Sequence, residues 1–324
     1  MNVLSLFDGM SCGQIALNRV GIKYDNYFAS EIDKYAIKVT QHNYPNTIQL
    51  GDVTKIKGCD LPKIDLLIGG SPCQGFSLAG KQLNFDDPRS KLFFEFVRLL
   101  EECKPKYFLL ENVKMKLIYK DKITELLGIE PIEINSNLLS AQNRKRLYWT
   151  NIPNIIQPQN KGIFLTDILE TVVDDSLFLR EKHIKKYDLE KYKNMNKNQC
   201  VFTDLRTEEA KKLRREQRIK TGKDIDPRKY KKLFPRTDNK SNCLTTSLNK
   251  EHILLDKDFK FRKLSPIEYE RLQTVPDNYT NVEGISFNKR YHMLGNGWTV
   301  DVIAHIFKHI NKPKKPNIHN IIKF

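Results

Sequence analysis

The chain has 324 residues, enough to bury a large core in one large or two smaller domains, and its hydrophobic content of 40% is ordinary for a globular protein. No unbroken apolar run is long enough to cross a bilayer and no signal-peptide pattern follows Met1, so a soluble cytoplasmic protein with no membrane partner is expected. The formal net charge of +16 points to a polyanionic partner, most simply nucleic acid.

The first 150 residues alternate strand and helix signals. Residues 2–7 read as a strand that ends at Asp8-Gly9, and 14–20 as a helix closed by Gly21. A second strand over 27–32 carries Glu31 at its end, a helix covers 34–42, and a third strand over 47–50 runs into Gly51-Asp52. The apolar run 64–68 reads as a short buried strand, broken by Gly69-Gly70-Ser71-Pro72-Cys73-Gln74-Gly75. Residues 90–102 form an amphipathic helix with Leu92, Phe93, Phe96, Val97 and Leu100 on one side. A fifth strand over 107–110 ends in Glu111-Asn112-Val113, and 132–134 and 147–149 suggest two more. Such alternation predicts an α/β fold with a doubly wound, mostly parallel sheet.

In such sheets ligands bind at the carboxyl edge, where Asp8, Glu31, Asp52, Cys73 and Glu111 all fall. The first loop, Phe7 to Gly13, lacks G-x-G-x-x-G and the Walker lysine, which speaks against a dinucleotide or a P-loop phosphate. Carboxylates in those places suit a cofactor with hydroxyls and a cation. Glu31 is suited to a ribose diol and Asp52 to an adenine amino group. Singly, each also reads as the cap of a following helix; at successive strand ends they read together as a ligand-facing edge. Cys73 alone reads equally well as a packed thiol or as a nucleophile on a rigid turn.

The six cysteines are scattered with no C-x-x-C pair, against a zinc site or a disulfide framework, so no metal is expected. The charge is uneven. Residues 1–150 hold 20 Lys and Arg against 17 Asp and Glu, a net of +3, whereas 180–240 hold 21 against 10, a net of +11. That concentration favours a nucleic-acid face, with a helical charge run over 208–220. Arg206, Arg214, Arg228 and Arg236 are candidate phosphate or guanine contacts, as are Arg215 and Arg218; each alone also reads as a solvated helix residue. Beyond it, Ser265-Pro266-Ile267-Glu268 opens a helix with Ser as N-cap and Pro at the first position, and a last helix is expected over 299–310.

Six motifs carry a resemblance. Ser71-Pro72-Cys73-Gln74, Glu111-Asn112-Val113 and Gln142-Asn143-Arg144-Lys145-Arg146 follow the first loop in order; Arg262 to Pro266 with Arg271-Leu272-Gln273, and Leu294-Gly295-Asn296-Gly297, close the series. In this order and spacing the chain resembles the DNA cytosine-5 methyltransferases almost end to end. The resemblance implies an S-adenosylmethionine-dependent methyltransferase sheet with a small inserted target-recognition domain: 1–155 catalytic, 156–258 recognition, 259–311 a return to the catalytic unit and 312–324 a tail. It implies that Cys73, Glu111, Arg144 and Arg146 are catalytic. Cofactor contacts then fall to Phe7, Asp8, Gly9, Ser11, Cys12, Gly13, Glu31, Ile32, Asp52, Val53, Pro72, Asn296 and Trp298. Gln74, Ser77, Lys81, Arg89 and Thr245 join the DNA contacts, with a lid over 75–89 that closes on the flipped base. Ser11-Cys12-Gly13 departs from the family's usual glycine pair, and Phe7-Asp8-Gly9 and Trp298 look more like the animal de novo enzymes.

The expected chemistry is addition of the Cys73 thiolate to cytosine carbon 6, with Glu111 relieving the ring charge at N3 and methylation at carbon 5. Arg144 and Arg146, two apart, share a strand face and reach one pocket. Duplex DNA is the expected partner, read by a monomer in a bacterial or phage-infected cell; the resemblance leaves a companion restriction endonuclease open. The rival readings are a tRNA cytosine methyltransferase and a catalytically silent DNA-binding regulator. A nicotinamide enzyme is made remote by the missing glycine fingerprint.

Overall fold

The computed structural model describes residues 1–71, 88–180, 200–206, 208–222, 231–246 and 253–310. Its main sheet has seven strands: β1 Asn2–Leu6, β2 Asn26–Ser30, β3 Ile48–Gln49, β4 Leu66–Gly69, β5 Tyr107–Val113, β6 Ile132–Asn135 and β7 Lys145–Thr150. Their order is β3-β2-β1-β4-β5-β7-β6, parallel except for β7, which runs antiparallel to both of its neighbours. The expected doubly wound, mostly parallel sheet is therefore present.

The two faces of this sheet follow from strand alternation. Val3, Tyr27, Ala29, Leu66, Ile68 and Leu109 point into one core, shared with Ile15, Ala16 and Leu17 of α1 Cys12–Arg19 and with Val302, Ile303, Ile306 and Phe307 of α8 Val300–Phe307. Leu4, Leu6, Phe28, Leu67, Phe108 and Leu110 point the other way, onto Phe93, Phe96 and Leu99 of α3 Pro88–Cys103. Both phenylalanines are fully buried, each a gain of about 1.5–3 kcal/mol over the exposed side chain. Helix α2, Lys34–Asn43, is capped by Asp33, and α4, Leu117–Leu127, ends at Gly128 in the left-handed region.

The pattern of the first 150 residues differs from expectation in two places. Glu111 lies inside β5 rather than beyond it, because pairing with β7 carries the strand on to Val113. Helix α4 carries no sequence expectation: its Leu117 and Ile118 are exposed, so no apolar stripe announces it.

A second sheet follows, β11-β10-β8-β9, built from β8 Cys200–Arg206, β9 Lys231–Pro235, β10 Ile253–Leu255 and β11 Phe261–Lys263, all antiparallel. Cys200, Phe202, Ile253, Leu255 and Phe261 form its own small core. The expected charged helix is α5, Glu208–Thr221, and only Ala210 of its residues is buried. Helix α6, Pro266–Leu272, starts as expected: the Ser265 hydroxyl accepts from Glu268 N and the Glu268 carboxylate accepts from Ser265 N. Glu268 also forms a buried pair with Arg262 at 2.7 Å. Helix α7, Phe287–Asn296, packs against α6, with the Tyr269 and Tyr291 rings 4.6 Å apart.

A strap from the basic region is stitched along the strand end that precedes β7. Ser241 N donates to Ala141 O, Asn143 N to Ser241 O, and Leu244 N to the Gln142 side chain, at 2.6, 3.0 and 3.2 Å. The buried Lys240 ammonium donates to the carbonyls of Asn137, Ser140 and Ile163.

Candidate active site

The carboxyl ends of β1, β2, β4 and β5 open on one cavity of about 370 Å³, closed from the far side by the start of the α7–α8 turn. This volume falls in the range of small-molecule sites. From the first loop it takes Phe7, Asp8, Gly9 and Cys12; from the second strand end Glu31, Ile32 and Asp33; from the third Asp52 and Val53; from the last motif Asn296 and Trp298. Glu111, Arg144 and Arg146 also line it, so the expected cofactor edge and three of the four residues expected to be catalytic meet at one place.

Asp8 is the perturbed carboxyl of this wall. The Tyr27 hydroxyl donates to its Oδ1 at 2.8 Å, while Oδ2 is sealed from solvent and makes no hydrogen bond of normal geometry. Burial outweighs the nearby Ser5, Tyr27 and Ser11 hydroxyls and, with Glu31 beside it, pushes Asp8 up to about 6. Such an acceptor suits a cationic or N–H group of a ligand. Glu31 accepts from Gly9 N through Oε2 and from Ile32 N and Asp33 N through Oε1, at 2.7–2.8 Å. It therefore tethers the two loops as well as facing the cavity, and its remaining lone pairs suit a diol. Asp52 accepts from Thr54 N and Oγ1, so the capping and lining readings both hold for it. Ile32 is 78% exposed and offers an apolar platform on the same wall.

Two first-loop residues stand elsewhere. Ser11 and Gly13 are buried and off the cavity wall. Ser11 begins α1 at φ 63° and accepts from the Gln14 side chain. A Cβ on Gly13 would stand 2.5 Å from Ile68 and 2.6 Å from the Tyr27 hydroxyl, so its role is close packing of helix on sheet. Cys12 does line the cavity, but burial pushes its thiol up to about 12, which keeps it neutral.

Glu111 is fixed from both sides. Arg146 Nε lies 2.9 Å from Oε1, and the Trp298 indole N–H donates to Oε2 at 3.1 Å. Neighbouring Asn112 donates to Ser71 Oγ at 3.1 Å, joining β5 to the turn after β4. Arg144 and Arg146 do converge as their spacing predicts, but differ in role. Arg144 is 3% exposed, and its guanidinium donates to the carbonyls of Leu244, Gly295 and Gly297 at 2.9–3.2 Å. It knits the strap to the last motif, whereas Arg146 faces Glu111.

Cys73, Pro72, Gln74, Ser77, Lys81 and Arg228 lie outside the described residues, as does the 75–87 part of the expected lid; so do the side chains of Arg89 and Arg206. Arg214 sits on α5 and Thr245 in the strap beside Gly295. Arg236 pairs with Asp238 and donates to Asn242, so its charge is largely spent within the strap. Gly70, Leu92, Asn112, His292 and Met293 also line the cavity, although the sequence does not mark them as ligand contacts. The signal for His292 and Met293 was available in the helical spacing that leads to Asn296.

The family model described as C-5 cytosine-specific DNA methylase matches residues 1–130 and 134–312. The type II methyltransferase M1.ScrFI of Lactococcus lactis subsp. cremoris is 32% identical over 328 residues, 93% of this chain and 75% of that protein. The orphan methyltransferase M.SPRI of Bacillus phage SPR is 43% identical over 166 residues, which span 47% of this chain and 38% of that protein, well under two thirds of its length. The solved structure of the Entamoeba histolytica methyltransferase EhMeth shares the fold, with a TM-score of 0.69 at 18% identity over 95% of this chain and 97% of that one.

Proposed function

Because the chain belongs to the C-5 cytosine-specific DNA methylase family, we propose that it transfers a methyl group from S-adenosylmethionine to carbon 5 of a cytosine flipped out of duplex DNA. The observation that carries this reading is Glu111, clamped between Arg146 and Trp298 on the wall of the cavity that Asp8, Glu31 and Ile32 also line. One carboxylate thus stands where a base and a cofactor would meet.

The donor set fits that cofactor. Asp8, with its bare buried oxygen, would take the cationic methionine end; Glu31 the ribose diol; Ile32, Asp52 and Val53 the adenine. When bound, S-adenosylmethionine supplies the electrophilic methyl. The chain's own work is to activate the base. The Cys73 thiolate adds to carbon 6, which breaks the 5,6 double bond and makes carbon 5 nucleophilic. Glu111 hydrogen-bonds N3 and the exocyclic amine, and Arg146 holds that carboxylate in place. After carbon 5 takes the methyl, leaving S-adenosylhomocysteine, its proton passes to water, the Cys73–carbon 6 bond breaks to return the thiolate, and the ring double bond re-forms. The base cannot be reached inside the duplex, hence the flipping.

The basic segment, residues 156–258 with β8, β9, β10 and α5, is the part we assign to reading the target sequence, with 259–311, whose first residues add β11 to that sheet, returning to the catalytic unit. Its charge suits phosphate contact. The test is transfer of labelled methyl from S-adenosylmethionine to unmethylated duplexes, with base-resolution mapping. Methylation of cytosine confined to one short motif is expected. Transfer to tRNA alone, or tight DNA binding with no transfer, would overturn the reading.

A further inference from the structure

Cys243 is the residue of the strap that stands against the catalytic arginines. Arg144 Nη1 lies 3.4 Å and Arg146 Nη2 3.8 Å from its Sγ. The same Arg146 guanidinium reaches Glu111 Oε1 through Nε at 2.9 Å and donates through Nη1 to its own strand, at Lys145 O. The carboxylate at Nε and the sulfur at Nη2 therefore hold one planar group between them. The sulfur is fixed in turn, because Leu244 N is hydrogen-bonded to Gln142 and Leu244 O accepts from Arg144.

We propose that Cys243 is a positioning residue for methyl transfer, one that sets the Arg146 guanidinium, and through it the Glu111 carboxylate, from the strap that ends the basic region. The inference rests on the reading above. It adds that strap placement, and hence whatever the basic region binds, is coupled to the orientation of the catalytic acid through one sulfur.

Electrostatics agree with the geometry. Burial opposes ionisation of this thiol, but the charges and hydrogen bonds of Arg144 and Arg146 outweigh it and hold Cys243 below the usual thiol range. Those two arginines are the charged groups that act on it, with Glu111 beyond Arg146. A thiolate accepts from both guanidiniums; a neutral thiol can instead donate to Leu244 O, 3.5 Å away. The sulfur thus has an ionised form that grips the arginine pair and a neutral form that releases it.

The test uses full-length C243S and C243V, close in size to cysteine, with and without an acceptor atom. C243S is expected to keep single-turnover methyl transfer within about threefold of wild type. C243V should lose about tenfold in that rate, a loss typical of slight misplacement of a reacting group, with unchanged DNA and cofactor affinity and an unchanged melting temperature. Equal rates in wild type, C243S and C243V would overturn the proposal, as would a C243V loss that follows affinity or melting temperature instead of rate. A second measurement needs no activity and no C243V. Thiolate absorbance is titrated in C73S and in C73S/C243S, and the difference isolates Cys243. A midpoint below the ordinary thiol value of about 8.5 supports the proposal; one at or above it overturns it. Wild-type protein with no methyl transfer to DNA but a lowered midpoint would sink the functional reading while leaving the arginine–sulfur contact standing.

Discussion

Arg146 Nε and Glu111 Oε1 stand 2.9 Å apart across the β5–β7 ladder, where Arg146 is opposite Val113 and Glu111 opposite Tyr148. The pair joins neighbouring antiparallel strands diagonally, so the carboxylate is positioned by the sheet and not by a loop. Both side chains are nearly buried, at 13% and 11% exposure, which makes the contact far less screened than a surface pair.

The E111Q variant should fold and bind DNA, since the amide keeps the shape and can still accept from Trp298. It should lose about 100-fold or more in methyl transfer, the scale of general acid–base assistance. Rapid-quench single turnovers with saturating cofactor measure this; a loss confined to KM would argue for a binding role instead.

Gly70 packs against the same carboxylate. A Cβ there would lie 2.9 Å from the Trp298 indole nitrogen and 3.0 Å from Glu111 Oε2. G70A should part that hydrogen bond and slow transfer by about tenfold, or about 1.4 kcal/mol, within the range for a bond to a charged group. Tryptophan fluorescence should report the displaced indole in the same variant.

Asp8 gives a pH signature. Its carboxyl rises from 3.8 to about 6 on folding, chiefly through burial. Folding therefore favours the protonated form. The stability it contributes is fully present below about pH 4 and is lost as pH rises through about 6. D8N should stabilise the cofactor-free chain at pH 8 by up to about 3 kcal/mol, with little effect near pH 4. Denaturant unfolding at the two pH values measures the difference, and an equal effect at both would contradict the account. The same variant should bind S-adenosylmethionine more weakly, because the cationic end loses its counter-charge.

Glu268 tests the scaffold apart from the site. It is fully buried, pairs with Arg262 and closes the capping box of α6. E268A leaves the Arg262 charge without that partner and should cost about 3–5 kcal/mol. At a temperature where the variant is folded, its turnover should equal that of wild type.

The sheet was legible because its central strands are buried on both faces and read as apolar runs, as at Leu66 to Ile68. The second sheet was not. Strand β8 breaks alternation, with Thr203 and Asp204 both polar between Phe202 and Leu205, and β10 and β11 have three residues each, too few for a periodic signal. At the site, Asp8, Glu31 and Glu111 were visible as polar residues at strand ends, and the strand spacing of Arg144 and Arg146 brought both to the cavity. What sequence could not show was the division of labour between the two arginines, because the Arg144 partners lie 100 to 153 residues away. Cys243 was hidden for the same reason: its neighbours are 97 and 99 residues distant, and its own segment reads as polar loop. Ser11 and Gly13 were assigned to a ligand by resemblance, whereas packing against Gln14, Ile68 and Tyr27 accounts for them.

The central claim, covalent activation of cytosine by Cys73 with the help of Glu111, is tested most directly with duplex DNA carrying 5-fluorocytosine in the methylated motif. Fluorine at carbon 5 cannot leave as a proton does, so the Cys73–carbon 6 bond should persist once the methyl has been transferred. The account predicts a denaturation-resistant protein–DNA adduct that requires S-adenosylmethionine, maps to the peptide containing Cys73 and is absent in C73S. Methylation of ordinary cytosine by C73S, or an adduct mapped to another residue, would contradict it.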